Sequence, residues 1–200
     1  LYVNEPDILN WIKFCMKNRE IRRLCRVGCF QQDMSDCGVA CLVTLMRYFG
    51  TNISLEYGRE LSGTNAQGTT MYGLLLASQS MGFKAEGYEM DMEHLSAQTN
   101  PVIVHVVLPN GLMHFMVFCK SSKGKVVIFD PARGESVMTS EEFEKIWTKK
   151  ALFVCPTTEQ KQKIKGENRI LGFFSARFPK HILSLWLLNK RHYLITIQTE

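Results

Sequence analysis

Apolar residues recur at helical spacing in the first part of the chain and in short β-branched runs in the second part. The helical spacing predicts four helices, over residues 4–24, 38–49, 53–61 and 70–81. The β-branched runs predict five strands, over residues 83–90, 101–108, 112–120, 125–130 and 151–155. A helical turn over residues 92–98 and a helix that starts with a capping box at Thr139 interrupt the strands. This order indicates an α+β fold in which N-terminal helices pack on an antiparallel β-sheet.

The pattern also divides the chain into four parts. Residues 1–27 form a predicted N-terminal helical extension, and residues 28–155 hold the predicted globular domain. Residues 156–169 are a charged linker. Residues 170–200 form a basic, aromatic-rich amphipathic segment, which fits a membrane interface or the surface of another domain. No uninterrupted apolar run reaches the roughly 18 residues that a membrane span requires.

The composition is that of an ordinary globular protein, with 46% apolar and 22% charged residues among 200. The net charge of +5 is unevenly distributed. Residues 1–30 carry six basic against three acidic side chains, residues 31–155 ten against thirteen, and residues 156–200 eight against three. The basic ends lack the mixture of arginines and aromatics that a nucleic-acid platform needs, so we expect no nucleic acid partner and favour proximity to an anionic membrane surface.

The seven cysteines, with no secretion signal ahead of them, indicate reduced thiols in the cytosol. Four of them have the spacing C-x3-C-x7-C-x3-C, at Cys25, Cys29, Cys37 and Cys41. This spacing suggests a zinc site, but structural zinc sites place paired cysteines on tight turns, whereas Cys37 and Cys41 lie one turn apart in an apolar helix. We therefore expect no metal.

Cys37 stands at the junction between the polar loop over residues 30–36 and the helix predicted from Gly38. The first N–H groups of a helix have no helical partner and the helix dipole favours an anion there, so this position suits a thiolate nucleophile. Gln31, six residues upstream, can fold back beside Cys37 and donate its amide to an oxyanion. The alternative is a buried structural cysteine, which is the commoner role of a lone cysteine.

A predicted β-hairpin pairs His114 with Asp130. The two strands are separated by Ser-Ser-Lys-Gly, and we place the turn at residues 121–123. This register sets His114 directly opposite Asp130, where the Cβ atoms of facing residues are ~5 Å apart. An imidazole held by a carboxylate in this way is oriented as a general base. A slip of one residue would turn the two side chains to opposite faces.

Three segments resemble the peptidase domain of bacteriocin-type ABC exporters, a papain-like cysteine protease family. They are Gln31-Gln-Asp-Met-Ser-Asp-Cys37-Gly-Val-Ala-Cys-Leu42, His114-Phe-Met-Val117 and Asp130-Pro-Ala-Arg-Gly134. The resemblance extends from about residue 30 to residue 155. It implies a papain-like fold with Cys37 as the nucleophile and His114 as the general base and acid. It also implies that Asp130 orients His114, that Gln31 donates to the oxyanion, and that the reaction uses no cofactor.

The family supplies the remaining expectations. Its members are cysteine endopeptidases that remove leader peptides after a double glycine, so the expected substrate is the leader of a bacteriocin-like or other exported precursor. Their peptidase domain precedes transmembrane and ATPase domains in an exporter that is expected to be dimeric. The expected location is the cytoplasmic face of the bacterial inner membrane, and only the ATPase domain needs ATP.

The chain contains no Walker motif and begins with Leu1 rather than Met, so we expect it to be part of such an exporter. Residues 170–200 would then lead towards the transmembrane domain. Residues 1–27 have no recognised counterpart in the family. The alternative function is a non-catalytic domain that only docks the leader, but the presence of Cys37 with all its partners favours the enzyme.

Overall fold

The computed structural model describes residues 19–164. The chain divides into two compact units, Leu1–Thr157 and Thr158–Glu200. In the second unit the described residues, 158–164, are helical. Within the part of the chain that the structure describes, no helix is both long and apolar enough to cross a membrane. The predicted amphipathic segment and most of the predicted N-terminal helix lie outside this part, so the predicted division of the chain stays a prediction.

Six helices and six strands form the described part of the first unit. The helices are α1 (Arg19–Val27), α2 (Cys37–Tyr48), α3 (Leu55–Ser62), α4 (Met71–Ser80), α5 (Met92–Ser96) and α6 (Ser140–Ile146). The strands are β1 (Phe83–Glu89), β2 (Val102–Val107), β3 (Met113–Ser122), β4 (Lys125–Asp130), β5 (Gly134–Thr139) and β6 (Trp147–Pro156). A 3₁₀ turn, Met34–Asp36, directly precedes α2.

The six strands form one antiparallel sheet in the order β1-β6-β2-β3-β4-β5. The apolar pattern does not predict β5, because its central residues are only partly buried at the edge of the sheet. Strand β6 begins at Trp147, four residues before the predicted start at residue 151. The indole of Trp147 stacks on Phe143 with ring centroids 5.5 Å apart. The predicted order of helices followed by an antiparallel sheet is confirmed.

The sheet separates two apolar cores, because successive side chains of a strand point to opposite faces. On one face α1, α2 and α4 cover alternate strand residues, with Leu24, Leu42, Leu45, Leu74, Ile103, Val117, Phe129 and Leu152 in contact. On the other face α5 and α6 cover the residues in between, with Leu95, Val102, Val104, Met116, Phe118, Ile128 and Phe143 in contact. Both faces of the sheet are therefore buried by helices.

The helix that holds the candidate nucleophile is deeply buried. Every residue of α2 except Arg47 is buried. Helix α3 approaches α2 closely at Gly58, where a Cβ atom would lie 2.7 Å from Val39 Cγ2. Glycine at this position allows the two helices to come this close. The packing fixes α2, and with it the position of its first residue, Cys37.

The turn between β3 and β4 is tighter than predicted. It consists of Lys123 and Gly124, which both have left-handed backbone conformations with φ of 51° and 71°. Ser122 and Lys125 form the first pair of the hairpin. Two-residue turns of this hand match the twist of the flanking strands, which explains why the hairpin takes one in place of the predicted longer turn.

A β-bulge at Cys119 then changes the register of β3 on β4. Beyond the bulge Val117 pairs with Phe129. In this register Asp130 is diagonal to His114, so the prediction that they lie directly opposite each other is wrong by two residues. An even shift keeps both side chains on one face, and a diagonal neighbour is within reach of a histidine ring. Without the bulge the shift would be odd, and the two side chains would point to opposite faces.

Candidate active site

A compact loop, residues 31–36, leads into α2. The Oδ2 atom of Asp36 accepts hydrogen bonds from the backbone N–H of Asp33 at 2.8 Å and of Gln32 at 3.1 Å. Asp33 and Asp36 form a reciprocal capping box around the 3₁₀ turn. Helix α2 then begins at Cys37, one residue earlier than predicted.

The Asp36 carboxylate pairs with Arg59 of α3. Arg59 Nε donates to Oδ1 at 2.8 Å and Nη2 donates to Oδ2 at 2.7 Å, and Asp36 is only 1% exposed. The hydrogen bond from Arg59 is the main cause that holds the pKa of Asp36 below its ordinary value. Arg59 is not predicted from the sequence, because an arginine on a short, mostly polar helix gives no sign of a partner 23 residues upstream.

His114 and Asp130 form a buried hydrogen-bonded pair. His114 Nε2 lies 2.9 Å from Asp130 Oδ1, and the two residues are 8% and 7% exposed. The backbone N–H of Ala132 donates to the same carboxylate oxygen at 2.8 Å. Since the carboxylate can only accept, Nε2 carries the proton, and the ring is held in one tautomer and one orientation.

The surroundings move the pKa values of this pair in opposite directions. Burial lowers the pKa of His114, but the hydrogen bonds with Asp130 and Cys37 and their charges raise it by more, to about 9. Burial raises the pKa of Asp130, but the hydrogen bonds from His114 and the Ala132 N–H lower it by more, so the carboxyl titrates below its ordinary range. Both shifts favour an imidazolium beside a carboxylate.

Cys37 interacts with the imidazole of His114. The residue is 7% exposed, and its side-chain hydrogen bond with His114 is one cause of the raised pKa of the imidazole. Because Nε2 is bound to Asp130, Nδ1 is the ring nitrogen that remains for the thiol. Packing brings the two elements together, since a Cβ atom at Gly38 would lie 3.1 Å from the ring of Phe115.

Gln31 lies at the start of the loop and is tied to the end of β4. Its backbone N–H donates to the carbonyl oxygen of Pro131 at 3.0 Å, directly after Asp130. Its side-chain Oε1 is one of the buried atoms without a hydrogen-bond partner among the described residues. The structure therefore brings Gln31 to the Asp130 side of the site, while its role as an oxyanion donor stays a prediction.

The other cysteines of the predicted spacing lie in separate surroundings. Cys25 Sγ donates to Glu135 Oε2 at 2.8 Å. Burial raises the pKa of the Cys29 thiol, and it raises the pKa of the fully buried Cys41 thiol well above the ordinary value. Within residues 19–164 no group of three or more His, Cys, Asp or Glu side chains is arranged to hold a metal ion.

The structure thus brings together the residues Cys37, His114, Asp130 and Gln31, which the sequence places far apart. A thiol at a helix start, an imidazole beside it and a carboxylate behind the imidazole can form a thiolate–imidazolium pair that attacks a carbonyl carbon. On a sheet flanked by helices in this order, they define a papain-like cysteine peptidase.

The chain belongs to the peptidase C39 family, whose model matches residues 27–159. Among similar proteins, the lactococcin-G-processing and transport ATP-binding protein LagD of Lactococcus lactis is 34% identical over 147 residues. The transport/processing ATP-binding protein ComA of Streptococcus pneumoniae is 33% identical over 147 residues. Each alignment covers 72% of this chain, and the chain spans about a fifth of the length of these relatives (21% and 20%).

Two solved structures share the fold. The peptidase domain of Streptococcus ComA, a bifunctional ABC transporter, superposes with a TM-score of 0.61 at 36% identity, covering 64% of this chain and 97% of that domain. A double glycine motif protease from an AMS/PCAT transporter, solved in complex with its leader peptide, gives a TM-score of 0.59 at 29% identity, covering 64% and 89%. The matched region begins at residue 27, so most of α1 lies ahead of it.

Proposed function

We propose that this chain is the peptidase part of an ABC exporter and removes the double-glycine leader from a bacteriocin-like or other exported peptide. The observation that carries the proposal is the buried Cys37–His114–Asp130 arrangement, with Gln31 beside it. The relatives that process and transport peptides support the substrate class.

The proposed reaction proceeds through an acyl-enzyme. The Cys37 thiolate attacks the carbonyl carbon of the second glycine, and the oxyanion that forms accepts hydrogen bonds from the Gln31 amide and from N–H groups at the start of α2. The His114 imidazolium gives its Nδ1 proton to the leaving amine, and the C–N bond breaks to leave a thioester. His114 then removes a proton from water, which attacks the thioester carbonyl carbon. The C–S bond breaks, the leader leaves as a carboxylate, and the pair of Cys37 thiolate and His114 imidazolium is restored.

Crowding at the start of α2 supports a requirement for small residues before the scissile bond. A Cβ atom at Gly38 would already lie 3.1 Å from both Phe115 Cδ2 and Thr69 Cβ. Little room therefore exists beside the nucleophile for side chains of the substrate, and two glycines meet this restriction.

Because two glycines offer almost no surface, affinity for the leader has to come from residues further upstream. An amphipathic leader helix in an apolar groove would supply it. Helices α3 and α4 expose the large side chains Tyr57, Tyr72 and Leu76 at 48%, 68% and 44%. Tyr72 and Leu76 are one turn apart on α4, which begins beside the residue after the nucleophile, Gly38.

The proposed partners follow from the relatives, which are transport ATP-binding proteins. We place the domain on the cytoplasmic face of a bacterial inner membrane, joined to the transmembrane and ATPase domains of a dimeric exporter. ATP serves the ATPase domain, and the peptidase reaction described above needs no cofactor.

The experiment that tests the proposal incubates the chain with a synthetic precursor that contains a helical leader, Gly-Gly and a core peptide. Mass spectrometry should show a single cut after Gly-Gly. Cys37→Ala should abolish cleavage, by at least about 10³-fold, while leader binding remains. Cys41→Ala is the matched control: it lies one turn inside α2, fully buried, and should retain activity.

Two outcomes would contradict the proposal. Efficient cleavage of a short Gly-Gly peptide, or cleavage after bulky residues, would indicate a less selective protease. Tight binding of the precursor without any cut by the unaltered chain would indicate the alternative function, a non-catalytic domain that only docks the leader.

A further inference from the structure

We propose that Arg59 is a positioning residue for the nucleophile. It acts through Asp36 and holds the loop over residues 31–36 in place. Gln31 is the first residue of this loop and Cys37 directly follows it, so the contact fixes the positions of the oxyanion donor and the nucleophile. The inference rests on the proposed peptidase function and adds a residue from a third element, α3, to the parts of the site that α2 and the sheet supply.

The Asp36 carboxylate determines the shape of the loop. Its Oδ2 atom receives the backbone N–H groups of Gln32 and Asp33, at 3.1 and 2.8 Å. Both of its oxygens receive the guanidinium of Arg59, at 2.8 and 2.7 Å. Because Asp36 is 1% exposed, water cannot replace any of these donors without a rearrangement of the chain.

Arg59 connects this carboxylate to the buried body of the protein. Helix α3 packs on α2 at Gly58, next to Arg59 in sequence, in a contact too close for any side chain at that position. Arg59 Nη2 also donates to Gln32 Oε1 at 3.1 Å. At its other end the loop is tied to the sheet by the 3.0 Å hydrogen bond from Gln31 N to Pro131 O. The loop is therefore held from the helix layer on one side and from the sheet on the other.

Removal of the guanidinium would leave a buried carboxylate without its cation. Turning Asp36 towards water relieves this and releases the N–H groups of Gln32 and Asp33. Gln31 and Cys37 then move together. A displacement of about 1 Å in a catalytic group can cost about 10²-fold in rate. Lysine cannot repair the loss, because one ammonium cannot reproduce the two-pronged contact of the guanidinium.

The test compares Arg59→Lys with Glu56→Gln in the full chain. Glu56 is the matched control, since its carboxylate lies 4.0 Å from Arg59 Nη1 on the exposed side, away from Asp36. Arg59→Lys should lower kcat by about 10- to 100-fold with KM within about twofold. Glu56→Gln should change neither parameter by more than about twofold. A raised KM with unchanged kcat would overturn the inference, because Arg59 would then contact the substrate.

A double-variant cycle separates positioning from general support of the fold. If Arg59 acts through the loop on Gln31 and Cys37, Arg59→Lys should lower kcat less in a Gln31→Ala background than in the unaltered chain, because one of the two groups that it positions is already absent. An equal loss in both backgrounds would overturn the inference. Asp36→Asn combined with Arg59→Gln removes both charges, leaves no unpaired ion, and provides a second comparison if Arg59→Lys folds poorly.

Alkylation of Cys37 by iodoacetamide at pH 6, followed by mass spectrometry, tests Arg59 without any leader. Arg59→Lys should slow alkylation of Cys37 at least about threefold and Glu56→Gln should not, since displacement separates the thiol from His114. If the unaltered chain cuts no leader, the proposed function fails, and the alkylation rates still decide the role of Arg59. Equal rates in both variants would overturn that role.

Discussion

His114 holds a proton up to an unusually high pH. Burial lowers the pKa of its imidazole, but Asp130 and Cys37 raise it to about 9, from an ordinary value of 6.5. Because the folded-state pKa is the higher one, the charged ring stabilises the fold fully below about pH 6.5 and loses this contribution as the pH rises through about 9. The proposed leaving amine takes the same proton, so stability and cleavage should decline over the same alkaline range.

Substitution of Asp130 tests this origin of the high pKa. Asp130→Asn removes a charged partner of the imidazole, and a hydrogen bond to a charged group contributes about 1.5–3 kcal/mol. We expect the alkaline limb of kcat/KM, near pH 9 in the unaltered chain, to move down by about 1–2 pH units. Asp91→Asn is the control, since Asp91 bonds the exposed His94 at 2.7 Å, outside the site. An unmoved limb in Asp130→Asn would mean that another group titrates there.

Gln31 should affect the rate of the reaction and not the binding of the leader. An oxyanion donor acts on charge that develops only in the transition state, so Gln31→Ala should lower kcat by about 10²–10³-fold and leave KM nearly unchanged. Steady-state kinetics with the full precursor measure both. Weak binding with normal turnover at saturation would instead make Gln31 a substrate contact.

Most of the site could be predicted at the level of single residues, because Cys37, Gln31, His114 and Asp130 belong to short segments with recognisable chemistry. Arg59 could not. Its contact with Asp36 exists because α3 packs on α2, and no local pattern around either residue reports that packing.

At the scale of elements, the β3–β4 hairpin sets the relation between His114 and Asp130. Its turn places Lys123 in a left-handed conformation, φ 51°, which costs a residue with a branched or long side chain about 1 kcal/mol. Asparagine tolerates this conformation. Lys123→Asn should therefore raise the melting temperature by about 2–4 °C, measured by thermal unfolding. Lys125→Asn, two residues away in β4, should not raise it, because asparagine is disfavoured in strands.

The same hairpin shows what an apolar pattern can and cannot predict. The pattern identifies both strands, because their buried residues are β-branched or aromatic. It does not report the bulge at Cys119, which depends on how β3 twists against β4. The predicted contact between His114 and Asp130 is nevertheless correct, since the true register differs from the predicted one by an even number of residues.

At the scale of the whole molecule, α1 extends the fold beyond the region that the family model matches, which begins at residue 27. Ile21 and Leu24 are buried at 2% and 0% exposure, and the Arg23 guanidinium lies 5.2 Å from the centre of the Tyr48 ring. The helix is therefore an integral part of the core on the α2 side of the sheet.

Truncation of one buried side chain measures how much α1 contributes. Leu24→Ala should lower the free energy of unfolding by about 2–5 kcal/mol, because it removes a fully buried side chain from a packed core. Arg22→Ala, on the exposed side of the same helix, should change it by less than about 0.5 kcal/mol. Urea unfolding of the two variants gives the comparison. Equal effects would show that α1 lies loosely on the surface.

The strand order also governs when this enzyme can first exist during its synthesis. Among the strands of residues 19–164, β6 is the last to leave the ribosome, yet it occupies the gap between β1 and β2. Until residue 156 has emerged, a nascent chain contains Cys37, His114 and Asp130 but holds the sheet in two separate pieces. The growing polypeptide therefore remains without a complete peptidase sheet until β6 has been synthesised.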